Sequence, residues 1–66
     1  MSKAIETLAN RVFQHGGVLC IQRDVTNTFW QINVKYPDLN YYSKWYFGLP
    51  SDTLDKLANQ VNGRIR

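Results

Sequence analysis

The chain has 66 residues, of which 44% are hydrophobic, 14% aromatic and 20% charged. This composition is typical of a folded domain, because disordered chains combine low hydrophobicity with high charge. The length predicts one small domain over residues 1–66 and argues against an enclosed cofactor-sized cavity. Eight Lys and Arg against five Asp and Glu give a net charge of +3. The basic residues are scattered singly, which is a weak signature for a polyanion partner.

The cysteine count and the hydropathy pattern bear on the compartment. Cys20 is the only cysteine, whereas small secreted domains usually contain several disulfides, so a reducing cytoplasm is favoured. The first ten residues, MSKAIETLAN, lack the apolar core of a signal peptide. The longest aliphatic run, VLCI, is too short to cross a bilayer. We therefore expect a cytoplasmic protein without a membrane partner.

Residues 3–15 are predicted to form an amphipathic helix. Its apolar residues recur at three- and four-residue spacing, namely Ile5, Leu8, Ala9, Val12 and Phe13. Ser2 is placed to act as the N-cap, since its side chain can accept a hydrogen bond from a free backbone N–H. The HGG segment at 15–17 is predicted to end the helix, because glycine tolerates the left-handed conformation.

Residues 18–23 and 28–36 are rich in strand-forming types and flank a DVTN segment, where Asp24 and Asn27 suit a turn. This pattern predicts a β-hairpin. In the second run, alternation puts four apolar residues on the core side, namely Trp30, Ile32, Val34 and Tyr36. The solvent side then carries Phe29, Gln31, Asn33 and Lys35.

The segment YYSKWYF at 41–47, which follows a PDLN turn, has two interpretations. As a third strand, it places Tyr41, Trp45 and Phe47 on the core side and the alternate residues outside. As a helix capped by Asp38 and ended by Gly48, it carries an apolar stripe of Leu39, Tyr42, Trp45 and Tyr46. We prefer the strand, because aromatic enrichment favours β structure.

A second helix is predicted after Pro50, with Ser51 or Asp52 as its N-cap and Asn62-Gly63 at its end. Its apolar face consists of Leu54, Leu57, Ala58 and Val61. The elements together predict an α+β fold of order α-β-β-β-α, with both helices packed on one face of a three-stranded antiparallel sheet. The helical interpretation of residues 38–47 gives the alternative order α-β-β-α-α.

Catalytic and cofactor signatures are missing from the sequence. His15 and Cys20 are the only imidazole and thiol, and neither lies in a nucleophile motif, so Cys20 is better interpreted as a partly buried small hydrophobic residue. The chain has too few Cys and His for a zinc or iron–sulfur site, and no phosphate-binding glycine loop. We expect a non-enzymatic protein with no metal and no cofactor.

The solvent side of the predicted sheet is the candidate binding surface. It mixes amide, amine and aromatic side chains, namely Gln22, Phe29, Gln31, Asn33, Lys35, Tyr42, Lys44 and Tyr46. Such a surface suits a protein partner through aromatic anchors, or a nucleic acid through ring stacking and the cations Arg23, Lys35 and Lys44. A solvated strand face without a partner is the plain alternative. An edge strand could also pair with a second copy of the chain.

The element order is also that of double-stranded RNA-binding domains, but the residues do not match. Those domains hold phosphates with a Lys-rich cluster at the start of the second helix, whereas here the stretch is PSDTLDK. Insertion of the sheet into the DNA major groove is a further option, with Gln31, Asn33, Lys35 and Lys44 as readers.

The segment KWYFGLPSDTLDKLANQVNGRI, residues 44–65, resembles the C-terminal part of phage anti-CRISPR proteins of type I-F. The resemblance depends on the Trp-aromatic-aromatic-Gly-Leu-Pro motif at 45–50 and on Leu54, and it covers about a third of the chain. It implies a phage product that binds a protein subunit of a bacterial CRISPR surveillance complex and blocks access to target DNA. In that family the motif closes a helix. The resemblance carries over no binding residues, because the motif is a structural end of that fold.

Overall fold

The computed structural model describes residues 2–26, 28–38 and 42–65. The chain forms helix α1 (Lys3–Gln14), strands β1 (Val18–Arg23), β2 (Trp30–Tyr36) and β3 (Tyr42–Phe47), and helix α2 (Leu54–Asn62). The strands form one antiparallel sheet in the order β1-β2-β3. The predicted α-β-β-β-α fold is confirmed. The alternative fold, with a helix in place of the third strand, is wrong, because residues 42–47 are strand β3.

Helix α1 begins at the predicted cap. The Ile5 N–H donates to Ser2 Oγ at 3.2 Å, and Ile5, Leu8 and Val12 are buried. The predicted place of Phe13 on this apolar face is wrong, since its side chain is 59% exposed. Phe13 lies about 100° around the helix from Val12, which turns its ring away from the sheet.

The predicted glycine turn after α1 is confirmed, and its two glycines are required for different reasons. Gly16 has a φ of +72°, the left-handed conformation that closes helices. Gly17 lies against the sheet, where an added Cβ would be 2.6 Å from Val12 Cγ1 and 2.8 Å from the Lys35 carbonyl oxygen. Because glycine has no Cβ, the chain at position 17 can pass between Val12 of α1 and the backbone of β2.

Helix α2 starts one or two residues later than predicted. Thr53 is its N-cap and accepts a hydrogen bond from the Lys56 N–H at 3.1 Å, so the prediction of Ser51 or Asp52 is wrong. The Asp52 carboxylate instead accepts from the Leu49 N–H at 2.9 Å and pairs with Lys56 Nζ at 3.2 Å. These contacts hold the turn that connects β3 to α2.

Both helices cover the same face of the sheet, as predicted. Among the residues that the structure describes, ten buried side chains form the core, namely Ile5, Leu8, Val12, Ile32, Val34, Tyr36, Tyr46, Leu57, Ala58 and Val61. Arg11 of α1 also joins the helices, because its guanidinium donates to the Asn62 and Ile65 carbonyl oxygens of the C-terminal segment. Among the described residues, neither helix has the length and apolarity needed to cross a membrane.

Candidate functional site

One face of the sheet is not covered by either of the described helices, and we call it the outer face. The strand register pairs Ile21 with Ile32 and Ile32 with Tyr46, all of which point toward the helices. Alternate residues therefore point the other way. The strand residues of the outer face are Val18, Cys20, Gln22, Gln31, Asn33, Lys35, Ser43, Trp45 and Phe47. Phe29, just before β2, joins this face through its ring contact with Phe47.

Three aromatic rings form a cluster at one end of the outer face. The Phe29 and Phe47 ring centroids are 6.2 Å apart in an edge-to-face arrangement, and those of Trp45 and Phe47 are 6.3 Å apart in a stacked one. Trp45 is 42% exposed and Phe47 is 60% exposed. We call Phe29, Trp45 and Phe47 the outer aromatic cluster. It is apolar surface held on a rigid sheet, without a covering element among the described residues.

The β1–β2 loop fixes the position of Phe29. The Asp24 carboxylate accepts hydrogen bonds from the Thr28 N–H at 2.6 Å and the Phe29 N–H at 3.1 Å, and also from the Thr26 hydroxyl. The hydrogen bond from the Thr26 hydroxyl is the main cause of the low pKa of Asp24, about 2, and the hydrogen bonds from the backbone N–H groups lower this pKa further. Asp24 is therefore ionised at neutral pH and orders the loop that presents Phe29. The predicted turn residue Asn27 lies outside the described residues.

Amide side chains form the polar part of the outer face. Gln22 Nε2 donates to Gln31 Oε1 at 2.9 Å across β1 and β2. Asn33 is fully buried although it points outward, and its Nδ2 donates to Ser43 Oγ and the Lys44 carbonyl oxygen, both at 3.1 Å. Its Oδ1 has no partner among the described residues. Lys35 is the one charged side chain at the outer positions of the three strands.

The structure divides the eight predicted site residues between the two faces. Five of them lie on the outer face, as predicted: Gln22, Phe29, Gln31, Asn33 and Lys35. The other three lie on the inner face, so their predicted orientation is wrong: Tyr42, Lys44 and Tyr46. Tyr46 is a core residue with 6% exposure. The register explains the error, since Lys44 is paired with Val34 and Tyr46 with Ile32.

The same error hid the aromatic members of the site. Trp45 and Phe47 were predicted to be core residues, but they point outward and are exposed, while Tyr41 lies outside the described residues. Cys20 is likewise exposed rather than partly buried. The sequence signal at this strand favours the wrong orientation, because a lysine at 44 marks its side of the strand as the less apolar one. Lys44 nevertheless lies on the inner face, since at the sheet edge its long side chain reaches water from there.

Groups that could support catalysis or metal binding are dispersed. Cys20 points outward from β1, whereas His15 caps α1 on the helical side of the sheet. Within residues 2–26, 28–38 and 42–65, no three His, Cys, Asp or Glu side chains are grouped as metal ligands. The chemistry that the outer face offers is therefore apolar contact, ring stacking and amide hydrogen bonding.

Comparisons of the chain with protein-family models, with curated proteins and with solved structures gave no match.

Proposed function

We propose that the chain is a non-enzymatic binding protein that docks the outer face of its sheet on a protein surface of a host complex. The observation that carries this proposal is the outer aromatic cluster, with Trp45 42% and Phe47 60% exposed. Aromatic side chains are enriched among the residues that dominate the energy of protein interfaces. A cluster on a sheet is also preorganised, so little conformational entropy is lost when a partner binds.

The electrostatics of the outer face favour a protein partner over a nucleic acid. Affinity for nucleic acid depends on several cations that meet phosphates together. Lys35 is on the outer face, but Lys44 and Arg23 are on the inner one, where the Arg23 guanidinium lies 4.6 Å from the centroid of the Trp30 ring. The three cations predicted to meet nucleic acid, Arg23, Lys35 and Lys44, are therefore split between the two sides of the sheet. Base stacking on the outer aromatic cluster is the alternative function.

The resemblance of residues 44–65 to anti-CRISPR proteins of type I-F suggests the target to test first. Its Gly48-Leu49-Pro50 corner follows strand β3 here, whereas the motif closes a helix in that family. The resemblance therefore supports the choice of target through sequence alone. On this proposal the protein is a phage-encoded inhibitor that acts in the host cytoplasm. Its outer face binds a protein subunit of the surveillance complex and blocks access to target DNA.

Two phenylalanines provide a matched test of the proposed surface. Phe47 on the outer face is 60% exposed and Phe13 on α1 is 59% exposed, so replacing either by serine removes a similar exposed ring. Wild type, Phe47→Ser and Phe13→Ser are each immobilised and incubated with host lysate and with purified type I-F surveillance complex. The same variants are expressed in a CRISPR-positive host, and phage plaques are counted.

The proposal predicts that wild type and Phe13→Ser capture the same protein partner, and that Phe47→Ser loses at least about tenfold in affinity. Protection of phage should follow the same order. Capture of the partner by Phe47→Ser with wild-type affinity, or an equal loss in both variants, would contradict the outer face as the contact surface. If wild type captures no protein but binds single-stranded oligonucleotides with an affinity that falls steeply as salt rises, the alternative function replaces the proposal.

A further inference from the structure

A second surface lies along the free edge of β3, next to the outer aromatic cluster, with which it shares Trp45 and Phe47. A cleft of about 260 Å³ lies between β3 and α2. Its walls are the consecutive strand residues 44–47 and, from the helical side, Leu57, Gln60, Val61 and Arg64. Consecutive strand residues point to opposite faces, so a cleft that touches all four must run along the strand edge rather than over one face.

The backbone of β3 offers hydrogen-bonding groups at this edge. β2 lies on only one side of β3, and no described strand lies on the other. The Gly48 N–H donates to the Trp30 carbonyl oxygen at 2.9 Å, so residues at even positions direct their backbone groups toward β2. Ser43, Trp45 and Phe47 therefore direct their N–H and C=O groups toward the free edge. An extended chain can pair with such an edge as an additional strand.

The positive charge of the cleft favours an acidic occupant. Lys44 Nζ lies 5.4 Å from the centroid of the Tyr46 ring. Arg64 lines the same cleft, and its positive charge opposes the rise that burial causes in the pKa of Tyr46. None of the residues that line the cleft is acidic. Within the described ranges, no carboxylate forms an ion pair with Lys44 or Arg64.

We propose that the edge of β3 captures an extended acidic segment of a partner protein, which adds to the sheet as a fourth strand and places its carboxylates against Lys44 and Arg64. Backbone pairing at Ser43, Trp45 and Phe47 supplies the register, and the two cations supply the preference for acidic side chains. A second copy of this chain is disfavoured as the occupant, because pairing two β3 edges would bring four such cations together without an acidic partner.

The proposal is tested with a capped ten-residue peptide of alternating Glu and Thr, and with a control peptide in which Lys replaces Glu. Binding is measured by NMR titration of wild type, the double variant Lys44→Gln/Arg64→Gln and the control double variant Lys3→Gln/Lys56→Gln. Both double variants lower the net charge by two, and all four positions are partly or fully exposed, so both should fold. Hydrogen exchange of the backbone amides reports on the strand edge in the same samples.

The expected result is binding of the Glu peptide and not of the Lys peptide. Affinity should fall about tenfold in Lys44→Gln/Arg64→Gln and stay within about twofold in the control, since each exposed ion pair adds a modest increment. The Ser43, Trp45 and Phe47 amides should exchange more slowly once the peptide is bound.

Four results would overturn the proposal. They are equal binding of the two peptides, equal affinity of the two double variants, unchanged exchange of the three edge amides in the bound state, and absence of binding at millimolar peptide. Edge amides already protected in a dimer of the free protein would assign the edge to a second copy instead. Each readout concerns the β3 edge and the peptide, so failure here leaves the outer-face proposal standing, and failure of that proposal leaves this one.

Discussion

The two sides of strand β3 present aromatic residues to opposite environments. Tyr46 on the inner face is 6% exposed, whereas Trp45 and Phe47 on the outer face are 42% and 60% exposed. The residue with the polar hydroxyl lies in the core, and the two without it face solvent. Position in the sheet, and not hydrophobicity of the side chain, therefore decides which aromatic residue is buried. The apolar surface left outside is the part of the strand that remains available to a partner.

The register produces this division. Tyr46 lies beside Ile32 under the two helices, and Trp45 lies beside Asn33 on the side without helices. Both outer rings still contact one another, with centroids 6.3 Å apart. The inner face therefore contributes its side chains to the core, whereas the rings of Trp45 and Phe47 stay exposed on the outer face.

Truncating a side chain of the inner face should lower the free energy of unfolding much more than truncating one of the outer face. Ile32→Ala on the inner face should lower the free energy of unfolding by about 2–5 kcal/mol, because a fully buried side chain leaves a cavity. Phe47→Ala on the outer face should cost less than about 1 kcal/mol, since only ring contacts on an exposed surface are lost. Urea denaturation measures both. Where Ile32→Ala does not fold, Ile32→Val should cost about 0.5–1.5 kcal/mol. Equal losses on the two faces would contradict the division.

Asn33 should show that one position of the outer face is structural. Asn33→Ala removes two hydrogen bonds from a fully buried side chain and should cost about 1 kcal/mol of unfolding free energy. Gln31→Ala, beside it on β2, removes one exposed amide contact and should change stability by less than about 0.5 kcal/mol. Denaturation in urea compares the two variants. A larger loss of stability for Gln31→Ala than for Asn33→Ala would contradict the structural role of Asn33.

Tyr46 should make the inner face sensitive to alkaline pH. Burial raises its pKa above the ordinary value of 10.0, and the neighbouring Tyr42 phenol acts in the same direction. The contribution of Tyr46 to stability is therefore fully present below about pH 10 and is lost as the pH rises from there toward the higher folded-state pKa. The unfolding free energy of wild type should fall more steeply above pH 10 than that of Tyr46→Phe. Parallel pH curves for the two proteins would contradict the burial of this hydroxyl.

The sequence predicted the elements well because the signals for them are local. Ser2 capped α1, Gly16 closed it, and the Leu57 and Val61 face of α2 is buried as expected. The phase of β3 could not be predicted, since alternation gives two sets of residues and only the pairing with β2 selects between them. The N-cap of α2 failed for a related reason. Asp52 is a good cap by type, but its carboxylate is occupied by the Leu49 N–H and Lys56.

The two tryptophans allow the most direct test of the proposed binding surface, because Trp45 lies on the outer face and Trp30 on the inner one. Their indole N–H groups give two separate signals in a ¹H–¹⁵N NMR spectrum, and single Trp→Phe variants assign them. On titration with the protein partner captured by the wild-type chain, the account predicts that the Trp45 signal shifts and the Trp30 signal stays in place. A shift of Trp30 with Trp45 unmoved would place the partner on the other side of the molecule and contradict the account.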